Sequence, residues 1–130
     1  MSIIGHGIDI VEVARITTMV QRHGERFLSR CFTPGERAYA LGRRRRDEHL
    51  AARFAAKEAA LKAIGTGWRG GIAWTDVEVM RGASGAPSLR VQGRAGRIAQ
   101  DLGVRSWLVS LSHTPRYATA SVIVLAATGD

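Results

Sequence analysis

The spacing of apolar residues along this chain alternates between the period of a strand and the period of a helix. Ile4, Ile8 and Ile10 share one side of an extended stretch, which predicts a first strand. Asp9 points to the other side of that strand. Apolar residues then recur at helical spacing, and this pattern predicts helices over residues 11–23, 25–30 and 34–42, followed by the longest helix, which begins after the basic run Arg43–Arg46 and carries residues 53–64.

Two local motifs mark the boundaries of these helices. Thr33-Pro34-Gly35-Glu36 combines a threonine N-cap, a proline at the first helical position and a glutamate three residues after the cap. Gly65-Thr66-Gly67 closes the long helix, because glycine readily adopts the left-handed conformation that follows many helices. The long helix is therefore expected between the basic run Arg43–Arg46 and Gly65.

The second half of the chain is mostly predicted strand. Alternation over residues 76–80 and 88–92 predicts one hairpin, and the apolar, β-branched segments 107–112 and 117–126 predict another. A short helix over residues 94–102 lies between the two hairpins. Because the order is a strand, then helices, then mostly strands, we expect one α+β domain over residues 1–130, with an antiparallel or mixed sheet packed against the long helix.

The charge balance of the chain is strongly positive. Its 19 lysines and arginines against 11 aspartates and glutamates give a formal net charge of +8. A surface of this sign favours polyanionic partners, such as nucleic acid, nucleotide phosphates or an acidic protein. The densest basic run, Arg43–Arg46, is either a solvated helix end or part of such a binding surface.

Cysteine content and hydropathy indicate the cellular compartment of the protein. Cys31 is the single cysteine, so no internal disulfide can form, and we expect a small, half-buried apolar side chain there. No apolar run approaches the ~20 residues needed to span a bilayer, and residues 1–10 lack the basic start of a signal peptide. These features predict a cytoplasmic protein with no membrane partner.

The long helix carries a lysine in the middle of its apolar stripe. Leu50, Phe54 and Leu61 fall on one narrow face of the helix, and Lys57 lies at its centre. A buried, unpaired ammonium group costs several kcal/mol, so two interpretations are open. Either Lys57 extends past its apolar neighbours and pairs with a carboxylate, or the stripe opens on a cleft that holds an anion.

Two carboxylates of this chain are candidates to share a divalent cation. Asp9 stands in the first strand between small residues, and Glu58 stands on the long helix, one turn before Lys62. Mg²⁺ prefers a few protein oxygen ligands and fills its shell with water and phosphate. His113, at the end of a strand, is either a hydrogen-bonded turn histidine or a phosphate, ribose or acid–base contact.

Three segments together resemble a known enzyme family. GIDIVEVARI at residues 7–16, RFAAKEAALKAIGTG at 53–67 and SLSHTPRYATASVIV at 110–124 are similar to the matching blocks of the holo-(acyl-carrier-protein) synthases. These enzymes are the short bacterial members of the 4′-phosphopantetheinyl transferase superfamily. The resemblance runs from about residue 3 to about residue 127, and the blocks keep the family's order and spacing.

The resemblance implies a phosphopantetheine transfer. Coenzyme A binds with Mg²⁺, a serine hydroxyl of apo-acyl carrier protein attacks the β-phosphate, and adenosine 3′,5′-bisphosphate leaves. Asp9 and Glu58 match the metal-binding carboxylates, and Lys62 matches the catalytic lysine that faces the diphosphate. Either Glu58 or a water on the metal takes the serine proton. The residues implied to contact coenzyme A are Lys62, Lys57, Arg53, His113, Gly65 and Arg45, with Arg53 and the Arg43–Arg46 run as candidates for the 3′-phosphate pocket.

The resemblance also implies an assembly and a protein partner. Family members of this length are homotrimers whose active cleft lies between adjacent subunits. The protein partner is the acidic acyl carrier protein, for which Arg15 is a candidate contact. Thr114 departs from the longer polar or acidic residue that many relatives carry after the histidine, so that position's role is open. Fatty-acid and polyketide carrier proteins both remain open as substrates, as do Mg²⁺ and Mn²⁺ as the metal.

Two other classes of function compete with this interpretation. A small basic domain with three tryptophans is compatible with nucleic-acid binding. Against it, Trp68, Trp74 and Trp107 do not interleave with the arginine run as a stacking platform would. A non-catalytic subunit that binds carrier protein is the third class, and the presence of both Asp9 and Glu58 argues against it.

Overall fold

A long helix crosses one face of an antiparallel sheet in this structure, a computed structural model that describes residues 1–127. Within those residues, every helix is too short or too polar to cross a lipid bilayer. The elements follow in the order β1 (Ser2–Glu12), α1 (Val13–His23), α2 (Glu25–Cys31), α3 (Pro34–Leu41), α4 (Arg46–Ala63), a 3₁₀ turn (Trp74–Asp76), β2 (Val77–Arg81), β3 (Pro87–Val91), α5 (Gly93–Asp101), β4 (Val104–His113) and β5 (Tyr117–Ala126).

The strands form two antiparallel sheets. The larger sheet has three strands in the order β1-β5-β4, and β2 pairs with β3 in a separate sheet of two strands. In the larger sheet Ala120 lies opposite Asp9 on one side and Leu111 on the other. The α+β prediction, with a sheet packed against the long helix, is confirmed, and of the two predicted pairings the antiparallel one is found.

Both helix-boundary motifs act as the sequence predicted. Thr33 accepts a hydrogen bond from the Glu36 backbone N–H, and the Glu36 carboxylate accepts one from the Thr33 backbone N–H, so the capping box of α3 is complete. Gly65 follows α4 with φ +76°. The backbone N–H groups of Gly65 and Thr66 donate to the carbonyls of Lys62 and Leu61, which is a Schellman motif.

Helix α4 touches the sheet through alanine and glycine. Its alanines at positions 51, 55, 56, 59 and 60 are fully buried, because strand β1 lies directly against them. A Cβ atom at Gly7 would stand 1.9 Å from the Ala59 carbonyl oxygen, and one at Gly5 would stand 2.0 Å from the Ala63 carbonyl oxygen. Strand and helix therefore meet backbone to backbone, which only glycine allows at these positions.

The isoleucine side of β1 faces away from α4. Ile8 and Ile10 are 62 % and 64 % exposed in a single copy of the chain, and Leu108 on β4 is also exposed. The side that carries Asp9 packs toward the helix instead. The larger sheet thus has one face covered by α4 and one apolar face that no element of the same copy within residues 1–127 covers.

Candidate active site

Asp9 and Lys62 come together where β1 crosses the C-terminal half of α4, and Glu58 lies on the helix one turn before Lys62. The Lys62 ammonium group lies 3.0 Å from Asp9 Oδ1 and donates a second hydrogen bond to the Ile8 carbonyl, also at 3.0 Å. Glu58 is half-buried one turn before Lys62 on the same face of the helix. The side chain of Lys62 stays 52 % exposed and that of Asp9 17 % exposed, so both remain open to a ligand.

Local backbone geometry explains this arrangement. Gly7 and Asp9 lie on the same, helix-facing side of β1, so the close contact of Gly7 with Ala59 brings Asp9 beside the last turn of α4. The Schellman motif then turns the chain at Gly65, which lines a cavity of about 350 Å³ together with Lys62 and His6. Gly65 is therefore adjacent to the lysine, as the predicted site requires.

The donors at this point suit a hard divalent cation. Asp9 and Glu58 supply carboxylate oxygens, the ligands that Mg²⁺ takes most readily. Residues 1–127 contain no cluster of three or more histidine, cysteine, aspartate or glutamate side chains that could hold a metal by themselves. A metal held by Asp9 and Glu58 would therefore complete its shell with water and with oxygens of its ligand, which is the usual habit of Mg²⁺ at phosphate sites.

A second group of predicted residues lies at the other end of α4. His113 Nδ1 is 2.9 Å from Glu48 Oε1, and Arg45 Nε is 4.0 Å from Glu48 Oε2. Arg45 and Glu48 border a cleft of about 500 Å³ whose wall also includes the rest of the Arg43–Arg46 run and Pro115, the second residue after His113. The four guanidinium groups outnumber the carboxylates of Asp47 and Glu48 in this wall, so the cleft is net positive, which suits a phosphate group.

Arg53 lies beneath this basic surface and not on it. Its guanidinium group is buried and stacks on the ring of Tyr39, with 4.1 Å between Cζ and the ring centroid. Arg43 stacks on the same ring at 3.4 Å, and His49 packs edge-on against it. Because Arg53 has almost no exposed surface, its placement supports a packing role for this residue and not direct contact with coenzyme A.

Lys57 is also enclosed, and the reason is a carboxylate from another helix. Its ammonium group lies 2.7 Å from Glu36 Oε1, and neither side chain has exposed surface. Lys57 also donates hydrogen bonds to the carbonyls of Trp74, at 3.1 Å, and of Val77. Burial lowers the pKa of Lys57, and the Glu36 carboxylate opposes that shift. Of the two interpretations drawn from the sequence, pairing with a carboxylate fits this placement, and an open anion cleft at Lys57 does not.

The sequence patterns did not indicate two carboxylates that organise these groups. Glu36 was assigned to the capping box, which it completes, but its second oxygen also accepts a hydrogen bond from the Val79 backbone at 2.8 Å. Glu48 was not singled out at all. A signal existed for both, because a buried lysine needs a carboxylate partner, and Arg45 and Glu48 stand at the i, i+3 spacing of a helical ion pair.

The tryptophans that raised the nucleic-acid alternative are engaged in packing. The rings of Trp68 and Trp74 lie 3.7 Å apart, and Trp74 stacks on Phe54 at 4.5 Å. This stack lies against the core near α2 and is not part of the Arg43–Arg46 cleft. The tryptophan stack and the Arg43–Arg46 run therefore do not form one stacking surface.

Comparison with known proteins identifies the family. A model of the 4′-phosphopantetheinyl transferase superfamily matches residues 5–121. The chain belongs to this superfamily. The resemblance seen in the sequence motifs is thereby confirmed, and the residues of both ends of α4 lie within the matched region of the superfamily.

Relatives and solved structures of the superfamily agree with this assignment. The holo-(acyl-carrier-protein) synthase of Koribacter versatilis is 54 % identical over 122 residues, which cover 94 % of this chain and 98 % of that protein. The crystal structure of the synthase from Neisseria meningitidis matches with a TM-score of 0.86 at 32 % identity, covering 95 % of this chain and 99 % of the other. The Helicobacter pylori synthase, solved in complex with coenzyme A, matches with a TM-score of 0.82 at 29 % identity, covering 92 % and 99 %.

Proposed function

We propose that this chain transfers the 4′-phosphopantetheine group of coenzyme A to a serine hydroxyl of an apo-acyl carrier protein and releases adenosine 3′,5′-bisphosphate. The observation that carries the proposal is the contact between Lys62 and Asp9 at 3.0 Å, with Glu58 one turn away on the same helix face. Phosphoryl transfer needs positioning and charge neutralisation more than covalent chemistry, and these three side chains supply both. The proposed setting is the cytoplasm, where coenzyme A and carrier proteins occur together.

Asp9 and Glu58 are the residues that would hold Mg²⁺. When bound there, the ion supplies Lewis acidity and orientation at the diphosphate oxygens. Lys62 neutralises phosphate charge beside it, since its ammonium group is partly exposed and already fixed by Asp9 and the Ile8 carbonyl. Glu58, half-buried on the same face of α4 as Lys62, is also a candidate to accept the proton of the attacking serine.

The separation of the two ends of α4 favours a coenzyme A site that is built from two copies of the chain. Glu48, which holds His113 and Arg45, and Lys62 are separated by roughly 20 Å of helix axis at 1.5 Å per residue. In coenzyme A the 3′-phosphate and the diphosphate are attached to the same ribose, so they are much closer together than this. If both ends bind the cofactor, the Arg45 and His113 end of one subunit must meet the Asp9 and Lys62 end of another.

We therefore propose a homotrimer with active sites between subunits. The exposed isoleucine face of the larger sheet supports this assembly, because Ile8 and Ile10 would be covered when three such faces meet around an axis. Each interface would then join the metal end of one subunit, at Asp9, Glu58 and Lys62, to the cationic end of its neighbour, at the Arg43–Arg46 cleft.

An acidic carrier protein fits the surface beside the metal end. Arg15 on α1 lies over the ring of Phe54, at 5.6 Å from its centroid, at the edge of a groove of about 400 Å³. Arg26 and Arg30 line the same groove. Basic side chains beside apolar ones suit an acidic helix whose apolar residues also dock. The proposed protein substrate is thus an acyl carrier protein of fatty-acid or polyketide synthesis.

Intact-mass measurement tests the proposal directly. Incubating the chain with apo-acyl carrier protein, fresh coenzyme A and Mg²⁺ should add the mass of one phosphopantetheine arm, and chelation of the metal should prevent the gain. Absence of any gain with metal and coenzyme A present would contradict the transferase function. Tight, metal-independent binding of random RNA with a steep salt dependence would instead favour the nucleic-acid alternative.

A further inference from the structure

Glu48, near the N-terminal end of α4, has two basic side chains close to its carboxylate. One of its carboxylate oxygens lies 2.9 Å from His113 Nδ1 and the other lies 4.0 Å from Arg45 Nε. Its side chain is only 11 % exposed, whereas the side chain of Arg45 is 67 % exposed. A nearly buried carboxylate therefore contacts one histidine at hydrogen-bond distance and lies 4.0 Å from one largely exposed arginine, and Glu48 and Arg45 both line the Arg43–Arg46 cleft.

The contact with Glu48 determines which ring nitrogen of His113 is available to bind another group. When Nδ1 donates its proton to Glu48, Nε2 is the ring nitrogen that remains for another partner. The ring of His49 packs against His113 with 5.2 Å between centroids, which limits rotation on the other side. Glu48 also lies within ion-pair distance of Arg45, but that side chain stays largely exposed, so His113 is the stronger of the two contacts through which Glu48 can act.

We propose that Glu48 is a positioning residue for the 3′-phosphate of coenzyme A, acting through His113 and Arg45. The inference rests on the proposed function, because it assumes that the Arg43–Arg46 cleft receives coenzyme A. It goes beyond that function by assigning the preference for coenzyme A over 3′-dephospho-coenzyme A to a carboxylate that itself touches neither molecule. A carboxylate beside a phosphate subsite would repel the phosphate if it did nothing else, so its contribution depends on orienting the two basic groups.

The test compares the two cofactors as substrates of matched variants. Transfer to apo-acyl carrier protein is followed with coenzyme A and with 3′-dephospho-coenzyme A, for the parent and for Glu48→Ala, Glu48→Gln and Glu48→Asp. Asp101→Asn, an exposed carboxylate on α5, is the control for the change in net charge. Glu48→Gln keeps an oxygen that can accept a hydrogen bond from His113 Nδ1. Glu48→Asp keeps the charge, but on a side chain that is one methylene group shorter.

Orientation by Glu48 predicts a specific pattern. Glu48→Ala and Glu48→Asp should raise KM for coenzyme A by roughly tenfold with little change in kcat, as expected when hydrogen bonds to a charged group are lost, and should leave KM for the dephospho compound nearly unchanged. Glu48→Gln should restore most of the preference for coenzyme A. In a His113→Ala background, Glu48→Ala should raise KM for coenzyme A by a much smaller factor, because Glu48 can no longer act through His113.

Three results would overturn the inference, and none depends on the proposed function being wrong. Equal losses for both cofactors would show that Glu48 only stabilises the fold, a conclusion that thermal melting of each variant checks. Stronger use of coenzyme A by both Glu48→Ala and Glu48→Gln would show that the carboxylate acts only by repulsion. An unchanged preference in all three variants would remove Glu48 from the subsite. Failure of the proposed function itself is distinct, because the parent would then transfer from neither cofactor.

Discussion

Lys57 and Glu36 form an ion pair of 2.7 Å with no exposed surface on either side chain. The pair joins α4 to the first turn of α3, and the further hydrogen bonds of Lys57 to Trp74 and Val77 join both helices to the start of β2. This explains a lysine in the middle of an apolar helical stripe. The stripe meets the polar N-terminal turn of another helix at that point, and the ammonium group satisfies a carboxylate and two carbonyls there.

Breaking this pair from one side should be strongly destabilising. Lys57→Met fills a similar volume but leaves the Glu36 carboxylate buried without its cation, and we expect a loss of about 3–5 kcal/mol in the free energy of unfolding. Chemical denaturation measures the loss. The double variant with Glu36→Gln should recover part of it, and Lys62→Met, at a half-exposed lysine on the same helix, should cost under about 1 kcal/mol. A loss for Lys57→Met no larger than that of Lys62→Met would contradict the structural role.

Glu58 should behave in the opposite way, with a large effect on transfer and a small one on folding. Glu58→Gln removes a half-buried carboxylate proposed to hold the metal and to accept the serine proton, so we expect transfer to fall by at least about 10²-fold. The shift in the midpoint of thermal unfolding should correspond to a change of no more than about 1–2 kcal/mol in the free energy of unfolding. Intact-mass kinetics and melting curves of one preparation check both statements, and an unfolded variant with lost activity would assign Glu58 to the fold instead.

The proposed active site shared between subunits predicts complementation between two inactive variants. One variant carries Glu58→Gln at the metal end, and another carries Arg45→Ala with His113→Ala at the cationic end. Each alone should be nearly inactive, but refolding them together at equal ratio should restore up to about a quarter of parental activity, since random trimers pair intact ends at that frequency. No recovery in verified mixed oligomers would mean that each subunit forms its own complete site.

The exposed sheet face makes a separate prediction about assembly. Ile8→Lys places an ammonium group on the apolar face while leaving the Asp9 side of β1 unchanged. We expect the variant to sediment as a smaller species than the parent in analytical ultracentrifugation, and to lose transfer activity together with the assembly. Met80→Lys, at an exposed methionine on β2 of the smaller sheet, serves as the control and should keep the parental mass. A fully assembled Ile8→Lys variant would contradict a role for this face.

His49 should make the folded state sensitive to mild acid. Burial lowers the pKa of His49, with further lowering by His113 and the nearby Arg53, Arg43 and Arg81 side chains. The unfolded chain therefore binds more protons below the ordinary pKa of 6.5, so this contribution to stability is present above pH 6.5 and is lost as the pH falls below it. Denaturation midpoints at pH 7.5 and 5.5 should differ less in His49→Gln than in the parent. An equal difference would place the acid sensitivity elsewhere.

The sequence predicted those parts of the molecule that depend on local signals. The capping box at Thr33, the glycine stop at Gly65 and the alternation in the strands are local features, and each appears in the structure. The approach of Asp9 to Lys62 was also within reach, because the superfamily motifs carry both residues. These predictions needed only the periods of helices and strands and short motif spacings.

The features that the sequence did not predict depend on which other element covers a given helix or strand face. A helical wheel places Lys57 on a stripe but does not reveal that Glu36 and the start of β2 close over it. Arg53 was expected at a phosphate and lies under Tyr39 for the same reason. The converse holds for Ile8 and Ile10, whose spacing is that of a core strand although a single copy leaves them exposed. Each case depends on a tertiary or quaternary neighbour that is distant in sequence.

The glycines at positions 5 and 7 have a consequence for how the catalytic gap is maintained. Because β1 and α4 touch through main-chain atoms, with no room for a Cβ between Gly7 and the Ala59 carbonyl, the distance from Asp9 to the helix is set by main-chain atoms in van der Waals contact and not by side chains that can repack. Repacking elsewhere in the core would leave that distance unchanged, whereas one added methyl group at either glycine would push β1, and Asp9 with it, away from α4. The width of the proposed metal site is thus determined by the absence of two side chains.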